Sequence, residues 1–233
     1  MKRFFQLLII CLPLLLGYGC WTKSPFYGET YSWHQRIQAE VSTPTGLVTA
    51  AVVQGMKITY YPNGLFATGT ETDPKLTGEA LVVDLGAELG PRRYVFALLP
   101  GPGLARSVFH DLRVGRMDTG TFLGLIEDQI GKTPTKIDGL RWVGFEDFSD
   151  PKSVFAVDPA DLAASYGEGY ALTRLTLQIS DEPLTRGEVE KVLGWWCEYT
   201  QPYKRLSGLS GVISDNQLAN RLGPGAFKNG DCI

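Results

Sequence analysis

Histidine is scarce in this chain, with two in 233 residues, and the four cysteines form no Cys-x-x-Cys pair. A transition-metal centre therefore lacks its usual ligands, and no cofactor is expected. The Gly-x-Ser-x-Gly elbow, the His-Glu-x-x-His pair, the Walker loop and the EF-hand loop are also missing, and with the absent Cys-x-x-Cys this weakens the serine-hydrolase, zinc-protease, NTPase and thioredoxin-like readings. Positive charge is not in excess: 22 basic residues face 25 acidic ones, net −3, so no electrostatic footprint for nucleic acid exists. No apolar run reaches the roughly 18–20 residues that span a bilayer.

What is present begins at the N-terminus. Lys2 and Arg3 precede Phe4 to Leu16, apolar but for Gln6, and Gly17-Tyr18-Gly19 follows. A basic end, a short apolar stretch and a small-x-small site read as a secretory signal peptide over residues 1–19. Its removal leaves 20 basic residues against 25 acidic.

Cys20, directly after that site, resembles the lipid-accepting cysteine of the bacterial lipoprotein lipobox. The resemblance implies a diacylglycerol on the thiol, and two or three acyl chains hold a protein on a membrane stably. The sequence departs from the usual pattern in having Gly17 where leucine is typical. Gly17 and Gly19 satisfy ordinary signal-peptidase cleavage equally, which would leave a soluble periplasmic or secreted protein. In a Gram-negative host, Trp21 in place of aspartate implies sorting to the outer membrane.

With Cys11 leaving in the signal and Cys20 lipidated, Cys197 and Cys232 remain as an even pair. In an oxidising compartment they are expected to form a disulfide closing 35 residues, worth on the order of 3–4 kcal/mol. It would staple a tail, Leu206 to Ile233, of little periodic pattern.

Apolar residues make up 44% of the chain, and 27 glycines with 14 prolines favour many short strands. After a linker over residues 20–30, a single globular domain is expected over residues 31–233. Tyr31 to Val41 alternates, with Tyr31, Trp33, Ile37, Ala39 and Val41 on one face. Thr43-Pro44-Thr45-Gly46 reads as a turn. Leu47 to Val53 and Lys57 to Tyr61 return as a strand, with Gly55 as a bulge, and Pro62 to Thr77 reads as a loop. Ala80 to Leu85 and Tyr94 to Leu99 are continuous apolar runs, the expected central hairpin. Pro100 to Gly103 ends that section, and a helix over Leu104 to Leu112 follows. Asp118 opens a second helix, and Leu140 to Phe145 reads as a strand. Asp158-Pro159 is expected to cap a helix that Gly167 ends. Tyr170 to Ser180 alternates with Ala171, Thr173, Leu175, Leu177 and Ile179 inward. Thr185-Arg186-Gly187-Glu188 reads as a capping box. The fold class is α+β: a β-rich domain, mainly antiparallel sheet, with a few short helices.

The chemistry-bearing residues are few. Ser107 and His110 are i, i+3 neighbours that can touch, whereas Asp111 is expected to point away. His34 and Arg36 lie on the wet face of the first strand. The pairs Glu146/Asp147 and Asp181/Glu182 are adjacent and expected to diverge, the second beside a helix start. Trp195 and Trp196, with Tyr199 and Tyr203, form either a stacking platform or a packed helix end.

Glu40 to Gly46 and Ile179 to Gly187 resemble segments of uncharacterised exported bacterial proteins, a resemblance that implies no activity and supplies no catalytic residues. Three functions compete. The first is a membrane-anchored, non-catalytic envelope lipoprotein presenting its domain to a protein or glycan partner. The others are a periplasmic hydrolase with a site assembled from distant segments and a carrier of small apolar ligands.

Overall fold

The computed structural model describes residues 28–62, 71–200, 204–208 and 214–232. The expected signal peptide, Cys20, most of the expected linker and Tyr203 lie outside them. Period-two burial, the mark of a half-wet strand, builds the first element, β1 (Glu29–Thr43). Trp33, Gln35, Ile37, Ala39, Val41 and Thr43 face inward along it. The chain reverses through Pro44 and Thr45, where the Thr43 hydroxyl donates to the Gly46 carbonyl at 2.8 Å and Gly46 takes φ +135°. β2 (Gly46–Tyr60) then pairs with β1 in unbroken antiparallel register.

The expected bulge at Gly55 is absent. Glycine stands there for space, because an added Cβ would sit 3.2 Å from Leu184 Cδ2. The irregularity falls instead between Glu40 and Val41, where β1 meets β9 (Ala171–Ser180). Arg174 pairs with Glu40 and Leu172 with Val41, leaving Thr173 as the extra residue, its hydroxyl donating to the Glu40 carbonyl. The phase of β9 slips by one at that point. Ala171 and Thr173, expected inward, are exposed, and Leu172 packs on the core instead.

The loop expected over Pro62 to Thr77 also needs correction: β3 (Thr72–Glu79) pairs with β2 over Gly55–Tyr60. Its polar composition and Pro74 fit an edge, where the missing N–H costs no ladder bond. With β6 (Thr135–Lys136) and β10 (Lys228–Asn229), these strands form one sheet in the order β10-β3-β2-β1-β9-β6.

A second sheet has the order β4-β5-β7-β8, from Leu81–Asp84, Tyr94–Ala97, Trp142–Phe145 and Val154–Val157. All pairings are antiparallel. Val83, Val95 and Trp142 pack toward the first sheet in one core with Ile37, Ile58, Leu177 and the helix Thr119–Glu127. Phe96, Val143 and Phe145 point the other way, into a second core closed by Trp195, Trp196, Leu206, Leu222 and Phe227. Apolar burial on both faces explains why these strands are unbroken apolar runs. The unpatterned tail is thus a third layer, covering the outer face of the second sheet.

Helix starts follow side-chain caps. Asp118 accepts from the Thr121 N–H, as the sequence predicts. For the helix Leu162–Tyr166 the cap is Asp161, not Asp158, whose carboxylate closes the preceding turn on the Ala160 N–H. Gly167 ends it with φ +99°. Packing is tight beside it: a Cβ added at Gly144 would lie 2.6 Å from the Phe155 ring and closer still to the Tyr166 hydroxyl. Gly144→Ala is expected to cost about 1–3 kcal/mol through overpacking, measured as a lowered urea midpoint with an unchanged slope.

Candidate functional site

The outer face of the six-stranded sheet carries an open groove of about 460 Å³. Register places its floor. Ser180, His34, Gly55 and Thr77 stand in one row across β9, β1, β2 and β3. Ser32, Lys57 and Lys75 form the next row, with Thr30, Thr59 and Asp73 beyond. Gly55 contributes no side chain, and the space above it is taken by Leu184, which packs onto the centre of the row. Leu184, Asp181 and the half-exposed Ile130 form the rim.

Lys57 and Lys75 are directly opposite each other, an arrangement that costs stability because like charges face across the ladder. Both are exposed, and neither forms an ion pair with a described residue. Asp73 and Asp181 are the nearest acids by register and lining, and Glu127 accepts from the Ser32 N–H at one edge.

His34 and Ser180 both act on the backbone of Glu182. The imidazole Nδ1 donates to the Glu182 carbonyl at 2.5 Å, which fixes the proton on that nitrogen because a carbonyl only accepts. The Ser180 hydroxyl accepts from the Glu182 N–H at 3.0 Å. Arg36 adds an ion pair at 3.5 Å to the Glu182 carboxylate. These groups hold the loop that walls the groove, and none couples a nucleophile to a base.

The other expected constellations disperse. His110 bonds to the Ser107 carbonyl rather than its hydroxyl. Asp111, expected to point away, lies 3.0 Å from His110 Nε2 with both side chains mostly in solvent. Glu146 pairs with Arg92 at 3.1 Å, whereas Asp147 accepts from the Ser149 hydroxyl and N–H, which hold its carboxyl below the usual range. Among the described residues no three His, Cys, Asp or Glu side chains gather as metal ligands.

Trp195 and Trp196 belong to the second core and are no stacking platform. Their indole N–H groups donate to the Phe148 and Pro224 carbonyls, at 2.9 and 3.0 Å. Tyr199, half-buried, packs edge-on against Trp195 at 5.3 Å under Lys204. Cys197 and Cys232 lie at disulfide distance, with Cα atoms 5.7 Å apart.

The capping box at Thr185 is replaced by a longer-range device. Thr185 pairs with Val53 through its N–H and hydroxyl. The helix Glu188–Val192 takes its cap from Glu79, whose buried carboxylate accepts from the N–H groups of Gly187, Glu188 and Val189 at 3.1–3.4 Å. Burial raises the Glu79 pKa, the backbone N–H groups oppose this, and Glu190 and Lys228 add opposing smaller effects.

Sequence reasoning placed His34 on the wet face but missed its row, because only register brings Lys57, Lys75 and Gly55 beside it. No family model, curated protein or solved structure matches this chain.

Proposed function

We propose that the protein is an exported envelope lipoprotein, tethered through Cys20, whose β-rich domain is a non-catalytic module binding an acidic group of a protein or glycan partner. The observation that carries the binding reading is the facing pair Lys57 and Lys75 on the floor of the open groove. A bound carboxylate or phosphate between the two ammonium groups would relieve a repulsion that the unbound sheet carries. The rim residues Ile130 and Leu184 suit an apolar group next to that anion.

The hydrolase reading finds less support, since His34 and Ser180 both engage the Glu182 backbone. For the carrier reading, the apolar cleft at Leu140, Trp142, Leu172 and Leu175 measures about 290 Å³, at the bottom of the range that encloses small ligands.

Two measurements test the proposal. Intact mass of the membrane fraction should show the acyl increment on the native protein and not on Cys20→Ala. Lys57→Glu with Lys75→Glu should weaken retention of solubilised envelope material about tenfold or more, as reversal of charges worth about 1 kcal/mol each requires. Unchanged retention overturns the groove as the binding surface.

A further inference from the structure

The pairing of β2 with β3 ends at Gly55, opposite Thr77, whereas β2 itself begins at Gly46. Val53 reports which way the uncovered stretch points. Its N–H donates to the Thr185 hydroxyl and its carbonyl accepts from the Thr185 N–H, so both groups turn away from β1. The register of β1 and β2 is unbroken. Leu47, Thr49 and Ala51, on the same alternate positions, therefore turn their backbone groups the same way. Thr185 takes the first rung, and no backbone of the described residues takes those beyond it.

An open edge of this kind pairs with other chains, and proteins guard such edges with proline, lysine or a covering side chain. The edges at β3 and β8 are guarded: β3 carries Pro74 and Lys75, and the Asn216 amide donates to the Val154 carbonyl at the start of β8. The free edge of β2 is not. Gly46 to Val53 holds no charge and no proline, and Leu47 is 63% exposed.

Core cover stops at the same place. Along the inner face of β2, Ile58, Met56, Gln54 and Val52 are buried, whereas Ala50 and Val48 are half-buried. Their partners on β1, Ala39 and Val41, are fully buried, with β9 on their other side. A cleft of about 520 Å³ runs along the edge, between Ala50 and Val52 on one side and Val82 and Val192 on the other. Its charged side chains are already paired, Lys191 with Glu188 and Asp84 with Arg93. The cleft thus suits an uncharged, extended backbone.

β2 is itself such a backbone. In an antiparallel ladder, residues that turn their backbone groups outward face one another. A two-fold axis at Thr49 therefore sets Thr49 against its own copy and Leu47 against Ala51. Val48 then meets Ala50, which covers the half-open end of each core. Neither strand brings a charge to the contact.

We infer that two copies of this chain join edge to edge through β2, antiparallel and centred on Thr49, to make one continuous sheet. Paired residues share a face, so both lysine grooves open on the same side; the dimer itself does not rest on what those grooves bind. A contact this short belongs with small, transient interfaces, so a reversible dimer of micromolar or weaker affinity is expected.

Sedimentation from micromolar to millimolar concentration tests it, on the full chain carrying Cys20→Ala, which removes lipid and a spare thiol as sources of association. Thr49→Lys and Thr49→Glu each set like charges across the axis and should weaken the dimer at least about tenfold. Their urea midpoints should stay at the Cys20→Ala value, since Thr49 is exposed. Mixed one to one, the two variants should recover the dimer, because lysine then faces glutamate. A parent chain that stays monomeric throughout overturns the inference. So does a dimer that survives each variant alone, or a mixture of the folded variants no more associated than its parts.

Discussion

Glu79→Ala is expected to lower the unfolding free energy by about 3–5 kcal/mol, the range for removing one partner of a buried ionic and hydrogen-bonded group. The carboxylate gathers three N–H groups at the start of the helix Glu188–Val192. Alanine leaves these donors without acceptors in a buried place. It also detaches the helix from the junction between the two sheets, where the Glu79 carbonyl takes the Gln54 amide at 2.8 Å and Gln54 in turn takes Gln35 at 3.0 Å. Lys228, opposite Glu79 in the ladder, keeps its pair with Glu190, so the expected loss is chiefly that of the cap. Urea unfolding followed by tryptophan fluorescence measures it, and a loss below about 1 kcal/mol, as for an exposed cap in a peptide host, would refute the assignment.

The same carboxyl sets a pH dependence. Burial raises its folded pKa above the unfolded value, so the folded chain retains a proton that the unfolded chain has released. Stability from this group is full below the ordinary carboxylate range and declines as pH rises through the raised value. Glu79→Gln, which keeps one acceptor, should abolish that decline. The difference between wild type and Glu79→Gln across the acidic range isolates it from Asp118 and Asp147, whose lowered pKa values act with the opposite sign.

The second large effect is expected from Cys197→Ser. The bond to Cys232 spans 35 residues, and freeing a loop of that size costs about 4 kcal/mol by the chain-entropy estimate. The loop contains Leu206, Ala219, Leu222 and Phe227, which close the second core over Phe96 and Phe145. Reductant added to wild type should reproduce the loss, and Cys232→Ser should match Cys197→Ser. A reduced wild type as stable as the oxidised one would show that the tail is held by packing alone.

The groove illustrates where reading the chain ends. His34 was legible as a wet-face residue because alternation over Tyr31 to Val41 is local. Lys57 and Lys75 sit in segments read as separate strand and loop, and nothing local to either reports the other. Gly55 looked like a bulge because glycine in a strand signals either irregularity or close approach, and Leu184, 129 positions later, decides for the second. The capping box failed for a related reason: Thr185 bonds to β2 instead, and a distant carboxylate supplies the cap.

Short-range rules thus determined the antiparallel β-rich fold class, the first hairpin, the unbroken buried strands and the Asp118 helix start, because periodicity and capping act within a few residues. Tertiary structure alone decided the β3 edge, the slip in β9, the Glu79 cap and the lysine pair. Each of these depends on which strands become neighbours and in what register, and that is set by burial of the two cores as wholes rather than by any segment's own pattern.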